Sequence, residues 1–190
     1  MNGMKQRPTE KDEAVLAGAV ALLLPRVTEW CVSSGDARAN EPAEQQDIAE
    51  QLTEAISVGD GDGYSLAKYL DDSYSWAADA DLVEILDAAP HRLHEVLCRL
   101  TYAWIQETGL EPEHNLGDLV KIQHLSRGMG VAGRKATEYS GTIQKVYRDT
   151  GKYTVNVPDL GHAKPGENGT QGLLLTWEEV DGWNRSVAAV

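Results

Sequence analysis

Two histidines and a glutamate that could act as metal ligands lie close together near the middle of the chain. They are His91, His94 and Glu95, in the segment HRLHEVLCRL. Zinc sites on helices typically take two histidines four residues apart and a third ligand from elsewhere. Here the histidines are three residues apart, and no Cys or His pair elsewhere in the sequence completes a set. We therefore expect an exposed helix start, and we predict neither a metal nor another cofactor.

A glycine-rich motif, GMGVAG at residues 128–133, fits the pattern GxGxxG. A dinucleotide site requires this motif to open a helix, whose N-terminus holds the pyrophosphate. The residues that follow predict another strand, so we expect no dinucleotide here. Asp60 and Asp62 hint at a calcium loop, but the glutamate expected at its end is missing, which favours a simple turn.

Catalytic residues cannot be assigned from the sequence. The chain has no GxSxG motif and no cysteine with a recognisable histidine partner, the patterns that mark nucleophilic catalysis. Carboxylate pairs occur, but 30 Asp and Glu residues make any one pair unspecific. We predict that the protein is not an enzyme, and an enzyme acting on a small substrate is a third hypothesis behind the two given below.

The histidines lie on a helix that the sequence predicts over residues 91–109. Its apolar side chains recur three and four residues apart, which indicates one buried face; they are Leu93, Val96, Leu97, Leu100, Ala103 and Trp104. Pro90 suits the first helical position, and Gly109 suits the left-handed position that ends a helix. We expect this helix to be a scaffold between the acidic helices before it and the strand-like sequence after it.

Residues 14–24 (AVLAGAVALLL) are the one continuous apolar run. This run is shorter than the roughly 20 residues that span a bilayer, and the residues before it lack the positive charge of a signal peptide. We predict a buried helix that Pro25 breaks or kinks, followed by a short helix with Trp30 and Cys31. Cys31 and Cys98 are the only cysteines and make no disulfide framework, so we expect a cytoplasmic protein.

Three further helices are predicted, over residues 43–58, 65–70 and 79–88. Acidic side chains form one row on the first helix and another on the last: Glu44, Asp47, Glu50 and Glu54, then Asp81, Glu84 and Asp87. Along the first row the residues rise about 4.5 to 6 Å from one to the next, which approximates the spacing of phosphates. The rows could therefore mimic nucleic acid for a basic groove, or they could be the solvated faces that lie opposite each apolar stripe.

The net charge of −13 is unevenly distributed. Residues 1–116 contain 22 acidic and 8 basic residues, a net charge of −14, whereas residues 117–190 contain 8 acidic and 9 basic residues, a net charge of +1. An acidic part joined to a near-neutral part indicates two units with different surfaces. The acidic part should repel nucleic acid and attract basic surfaces.

After Gly109 the spacing of apolar residues changes from about 3.6 residues, which is typical of a helix, towards 2, which is typical of a strand. Strands are predicted over residues 119–124, 142–147, 152–157 and 173–177. The sequence RDTG at residues 148–151 predicts a tight hairpin between the second and third. Four short strands suggest a small barrel, and the long Gly-rich connections at residues 126–140 and 159–170 are places where function often lies.

Three segments in this part of the chain carry a family resemblance: GDLVKI at residues 117–122, GTIQKV at 141–146 and YTV at 153–155. They resemble the SH3-like barrels that include the KOW modules, in which a Gly-Asp turn opens the first strand and a glycine starts the second. The resemblance implies a small β-barrel of a type that often touches nucleic acid or ribosomal partners. On that hypothesis Arg127, Arg134 and Lys135, in the loop between the first two strands, would grip phosphates.

The first half of the chain has a looser resemblance. The segments GYSLAKYLDD (residues 63–72) and LVEILDAAP (residues 82–90), with a tryptophan between them, resemble small accessory proteins of bacteriophages and mobile elements. That resemblance implies a role such as that of anti-CRISPR and other anti-defence inhibitors.

Together these patterns predict an α+β protein, an N-terminal helical bundle followed by a small SH3-like antiparallel β-barrel. The predicted domains are an acidic helical domain at 1–112, a barrel at 117–182 and a tail at 183–190. The leading hypothesis is a non-enzymatic, phage-encoded inhibitor in the host bacterial cytoplasm, whose acidic helix faces bind a basic nucleic-acid-binding surface of a host defence protein. The alternative is a nucleic-acid or ribonucleoprotein binding module that works through the barrel.

Overall fold

The computed structural model of the chain describes residues 6–35, 37–58, 61–124, 137–160 and 172–180. The chain divides into two compact units, which we call the helical unit (residues 1–104) and the sheet unit (residues 105–190). Helices and a four-stranded antiparallel sheet together confirm the predicted α+β class. The predicted tail at residues 183–190 lies outside the described residues.

The described helices are α1 (Glu13–Ser33), α2 (Pro42–Val58), α3 (Gly63–Tyr74), α4 (Ala80–Leu86) and α5 (Ala89–Thr108). In the helical unit, α1 and α3 each pack against both α2 and α4. The apolar face predicted for α2 is confirmed, because Ile48, Leu52, Ala55 and Ile56 are all buried. They join a core that also contains Leu23 of α1, Leu66 and Leu70 of α3, and Leu82 and Leu86 of α4.

The break predicted at Pro25 is wrong, because α1 continues through it to Ser33. Proline removes one helical N–H, so the carbonyl of Ala21 loses its partner. Ala21 and Pro25 are both exposed, so water can satisfy that carbonyl, while Leu23 and Val27 on the opposite side are buried and hold the helix in place. By length and hydropathy α1 could also cross a membrane, a property that core helices and signal sequences share; 44% of its most apolar stretch is buried here.

The long helix α5 begins at Ala89 and ends at Thr108, close to the predicted bounds. Gly109 has the predicted left-handed conformation, with φ of 65°. Val96 and Trp104 are buried as expected, but Ala103 is exposed, and Thr101 and Ile105 are buried instead. Thr101 lies four residues after Leu97 and three before Trp104, so it continues the same face, and it was not expected there because its side chain is polar.

The sheet unit contains four strands in sequential antiparallel order: β1 (Leu119–His124), β2 (Thr137–Tyr147), β3 (Lys152–Asn156) and β4 (Leu173–Thr176). The predicted RDTG hairpin is confirmed, since Tyr147 pairs with Lys152 across it. Strand β2 begins five residues earlier than predicted, so Gly141 lies within the strand rather than at its start. A side chain at Gly141 would collide with Val155 and with the backbone of Asn156 on β3, so only glycine fits.

The core of the sheet unit is centred on Tyr153, whose side chain is fully buried. Its hydroxyl accepts a hydrogen bond of 3.2 Å from the backbone N–H of His114. The ring of Trp177 lies 6.1 Å from that of Tyr153, and its indole N–H donates to the carbonyl of Lys152 at 3.2 Å. The chain contains no phenylalanine, so a tyrosine and a tryptophan supply the aromatic packing of this core. The Tyr153 hydroxyl and the Trp177 indole N–H are both hydrogen-bonded, as buried polar groups require.

Candidate functional site

The acidic row of α2 borders a groove rather than a uniformly solvated face. Asp47, Glu50 and Glu54 are exposed, but Glu44 is half-buried. The Gln51 amide donates to the Asp47 carboxylate at 2.8 Å, and the Gln46 amide donates to that of Glu50 at 2.8 Å. Neutral amides on the same helix therefore orient these two carboxylates and leave their charge in place.

Glu54 is held by two tyrosines. Its carboxylate oxygens accept hydrogen bonds from the hydroxyl of Tyr69 at 2.7 Å and from that of Tyr74 at 2.6 Å. Both hydrogen bonds lower the pKa of Glu54, and the bond from Tyr74 has the larger effect. The same carboxylate raises the pKa of Tyr74 to about 12 and also raises that of Tyr69. Glu54 thus links α2 to the middle and the C-terminal end of α3.

The second acidic row lies on α4. Asp81 and Glu84 are exposed, whereas the Asp87 carboxylate accepts a hydrogen bond of 2.8 Å from the backbone N–H of Gly63. Because α2 and α4 each pack against α1 and α3, the two rows belong to different sides of the helical unit. They do not form one continuous acidic strip.

A groove of about 380 Å³ lies beside the α2 row, and we call it the tryptophan groove. Its lining includes Trp30, Tyr74, Trp76, Glu44, Asp47 and Gln51. The rings of Trp30 and Trp76 are stacked, with their planes 14° apart and their centroids 6.1 Å apart. Among the described residues that line it there is no Lys or Arg, so aromatic rings and carboxylates together define its chemistry.

Hydrogen bonds fix the walls of this groove. The indole N–H of Trp76 donates to the Gln51 carbonyl oxygen at 2.5 Å, and the amide of the same Gln51 orients Asp47. The indole N–H of Trp30 donates to Asp79 at 2.9 Å. Asp79 also accepts from the backbone N–H of Leu82 at 3.0 Å, which caps α4, and these contacts lower its pKa, with the Leu82 bond as the largest cause. The groove is therefore tied to three helices before any ligand arrives.

The backbone that carries Trp76 has an unusual conformation. Ser75 and Ala77 have positive φ angles of 60° and 52°, and both are residues with a side chain. Ser75 ends α3 in the left-handed position that glycine or asparagine usually takes, and its N–H bonds to the Asp71 carbonyl at 2.9 Å. Strained residues of this kind are enriched at ligand clamps and other functional positions.

The residues with metal or catalytic character are placed as follows. Glu95 forms an ion pair with Arg92 at 2.8 Å, His91 is exposed, and Asp62 caps α3 by accepting from the backbone N–H of Ser65 at 2.8 Å. Within the part of the chain that the structure describes, no three His, Cys, Asp or Glu side chains converge on one point. Asp60 lies outside that part.

The structure brings together one cysteine and one histidine that the sequence analysis did not pair. The sulfur of Cys98 lies 3.5 Å from Nε2 of His94, one helical turn earlier on α5. A spacing of four residues on a helix predicts this contact.

The basic residues of the alternative hypothesis belong to the connection between β1 and β2. Arg127, Arg134 and Lys135, together with the GMGVAG motif, lie outside the described residues. Elsewhere in the sheet unit, the ammonium of Lys145 lies 4.5 Å from the centre of the Tyr147 ring. The hydroxyl of Tyr147 is hydrogen-bonded to that of Thr154, which lowers the pKa of Tyr147.

Sequence reasoning identified the acids of the groove but missed its aromatic residues. Trp30 was assigned to a separate helix, and Tyr74 and Trp76 to a connecting segment. The signal that could have found them is the density of aromatic and acidic residues in YSWAAD, between two short helices. Comparison with protein-family models, with curated proteins and with solved structures finds no match to this chain.

Proposed function

We propose that the protein is a non-enzymatic interaction protein whose helical unit binds a basic surface of another protein. The observation that carries this proposal is the tryptophan groove beside the acidic row of α2. Residues 1–104 contain 19 acidic and 8 basic residues, a net charge of −11, against −2 for residues 105–190. A negative unit with an aromatic groove is complementary to cationic side chains.

The carboxylates around the groove have two different tasks in this proposal. Glu54 and Asp79 hold the structure, because each accepts two hydrogen bonds from the protein itself. Glu44 and Asp47 line the groove and carry the charge that faces the partner, whereas Glu50 lies outside the lining and adds only to the general negative field of the row. Exposed charges of this kind mainly accelerate and orient the encounter, and salt screens them.

The class of partner follows from the same chemistry. Basic grooves that bind nucleic acid carry clustered Lys and Arg, so they are the surfaces that an acidic row can occupy. Together with the resemblance to phage accessory proteins, this supports an anti-defence inhibitor that acts on a host complex in the bacterial cytoplasm. The exposed Asp81 and Glu84 on α4 would provide a second, weaker contact.

Two finer points about the fold belong to the same proposal. The mutual packing of α1 to α4 supports a helical bundle. In the sheet unit, the register shift between Ile143 and Lys145 is a bulge that would bend β2, and Gly141 allows β3 to approach closely. Bends of this kind are what an SH3-like barrel needs to curl four strands around a small core.

The test is the binding of the full-length chain to a fluorescently labelled arginine-rich peptide at several salt concentrations. Reversing three charges of the α2 row, two of them in the groove lining (Glu44→Lys and Asp47→Lys) and one beside it (Glu50→Lys), should weaken binding by about tenfold or more. The matched control reverses three exposed acids of the sheet unit: Glu111→Lys, Asp149→Lys and Asp159→Lys. It changes the net charge equally and should have a much smaller effect.

Two results would count against the proposal. Equal losses in both triple variants would mean that only net charge matters, and indifference to salt and to both variants would remove the acidic surface from function. A shift of labelled DNA or RNA that depends on Arg127, Arg134 and Lys135 would instead support the alternative, a nucleic-acid binding module.

A further inference from the structure

We propose that the tryptophan groove is a pocket for one arginine side chain of the basic partner. This inference rests on the proposed function and makes it specific, because it names the group that the helical unit recognises. Its basis is one juxtaposition: two stacked tryptophans and two carboxylates, Glu44 and Asp47, around a groove of about 380 Å³.

The size of the groove favours a single side chain. Ligand pockets usually enclose about 300 to 1,000 Å³, and the groove lies near the lower end of that range. A folded segment would need a larger opening, whereas one long, flat side chain fits the scale. The arginine would extend from a partner whose remaining surface meets the exposed acids of α2.

The aromatic walls offer π surface rather than hydrogen bonds. Both indole N–H groups are already bonded, that of Trp76 to Gln51 and that of Trp30 to Asp79. Trp30 is only 7% exposed and Trp76 is half-buried, so the ring that can still offer a ligand its electron-rich surface, which attracts cations, is mainly that of Trp76. A neutral polar ligand would find no indole donor to bind.

The carboxylates of Asp47 and Glu44 supply negative charge at one side of the groove. The Gln51 amide bonds to Oδ2 of Asp47, which leaves Oδ1 for a ligand. Glu44 lies one turn earlier on the same helix and is half-buried, so less water screens its charge. Two carboxylates next to aromatic rings match a guanidinium, which can bond to carboxylates through its fork of N–H groups while its plane stacks on a ring.

Arginine is favoured over lysine for the same reasons. A guanidinium is planar and weakly hydrated, so it loses less on entering an aromatic groove than a compact, strongly hydrated ammonium. The groove is also prepared in advance, because Trp76 is fixed between Ser75 and Ala77 and is bonded to Gln51. A prepared pocket lowers the entropy that binding must overcome.

The experiment compares two labelled peptides of equal charge, one rich in arginine and the other identical except that lysine replaces arginine. Fluorescence anisotropy would measure their affinity for the full-length chain and for the Trp76→Leu, Asp47→Asn and Glu50→Gln variants. We expect the arginine peptide to bind more tightly. We expect Trp76→Leu and Asp47→Asn each to weaken it by about tenfold and to reduce the preference for arginine.

Glu50→Gln is the matched control, because Glu50 lies on the same helix and bonds only to Gln46 among the described contacts. It removes one charge outside the groove lining and should weaken binding by less than about threefold. Circular dichroism checks the fold of each variant; if Trp76→Leu unfolds, the contrast between Asp47→Asn and Glu50→Gln decides the question.

The outcomes separate this inference from the proposed function. Equal affinity for the two peptides, or equal losses in Asp47→Asn and Glu50→Gln, would overturn the arginine pocket while salt-dependent binding of both peptides kept the proposed function. Failure of the chain to bind either peptide at low salt would overturn both.

Discussion

At the scale of single residues, the contact between Glu54 and its two tyrosines is the most informative feature of the acidic surface. A carboxylate at the end of an exposed acidic row would be expected to face only water. Instead it accepts hydrogen bonds from Tyr69 and Tyr74, whose rings meet edge to face with centroids 6.3 Å apart. Glu54 therefore stabilises the structure beside the groove, and its carboxylate is not one of the freely exposed charges of the row.

The first prediction concerns the titration of Tyr74. Its pKa is raised to about 12 chiefly because its hydroxyl donates to Glu54. Replacing Glu54→Gln removes the negative charge, so the pKa of Tyr74 should fall towards its ordinary value of 10.0. The ultraviolet absorbance of tyrosinate, followed between pH 9 and pH 12.5, measures this change.

The same contact gives a pH window for stability. The pKa of Glu54 is lowered from 4.5, so its contribution is present above about pH 4.5 and is lost as the pH falls through the lowered value. The pKa of Tyr74 is raised from 10.0, so its contribution is complete below pH 10 and is lost as the pH rises through about 12. The stability difference between the native chain and Glu54→Gln should thus be largest between these limits.

A second prediction concerns the two cysteines. Cys31 is only 8% exposed, whereas Cys98 is partly exposed and lies 3.5 Å from the His94 imidazole, which can accept the thiol proton. Iodoacetamide should therefore alkylate Cys98 at least about tenfold faster than Cys31 in the native protein. Peptide mass spectrometry gives both rates, and His94→Gln should slow only that of Cys98. Equal rates at the two cysteines, or no effect of His94→Gln, would contradict the assignment.

A third prediction concerns Thr28. Its side chain is only 7% exposed, and its hydroxyl has no hydrogen-bond partner among the residues that the structure describes. A buried, unpaired hydroxyl costs free energy that a methyl group of the same shape does not. Thr28→Val should raise the free energy of unfolding by about 1 kcal/mol, as measured by urea denaturation. A loss of stability would mean that the hydroxyl is bonded in solution.

At the scale of elements, α1 shows how packing overrides a local signal. Proline within a helix costs about 3 kcal/mol, which is why a break is the natural expectation at Pro25. The helix nevertheless continues, because buried residues on both sides of Pro25 anchor it and the interrupted carbonyl faces water. This continuity is what brings Trp30 to the tryptophan groove.

A fourth prediction tests that account. Pro25→Ala restores the missing N–H in an exposed position, so it should stabilise the protein by about 1 to 2 kcal/mol, after allowance for the greater freedom of the unfolded chain. Urea denaturation measures the change, and binding of the arginine-rich peptide should be unaltered. A destabilised Pro25→Ala variant would mean that the native helix depends on the proline geometry.

At the scale of the whole molecule, charge is concentrated in one of two units. The helical unit has a net charge of −11 within a chain of −13, so its field extends beyond any single contact. On the proposed function, long-range attraction of this kind would accelerate the encounter with a basic partner, whereas the groove contacts would determine how long the complex lasts.

A fifth prediction follows for the kinetics of binding. For the arginine-rich peptide, raising the salt concentration should lower the association rate by about tenfold or more, with much less change in the dissociation rate. Asp47→Asn should act mainly on dissociation, because it alters a contact inside the groove. Stopped-flow fluorescence separates the two rates. A salt effect confined to dissociation would contradict steering by the whole unit.

The sequence by itself determined the class of the fold and most of its elements. The periods of apolar residues identified α2, α5 and all four strands, and the RDTG turn identified the hairpin between β2 and β3, because these signals depend on neighbouring residues. The acids of the α2 row were equally visible. Local patterns did not reveal the continuity of α1, the early start of β2 or the partner of Cys98.

Only the tertiary structure decided what the acidic row lies against. Trp30 and Trp76 are 46 positions apart in the sequence, and Gln51 reaches Trp76 from another helix. Such contacts arise from the packing of α1, α2 and the segment after α3, which no periodicity encodes. The sequence could therefore predict a negative surface, while the groove beside that surface depends on how three helices pack.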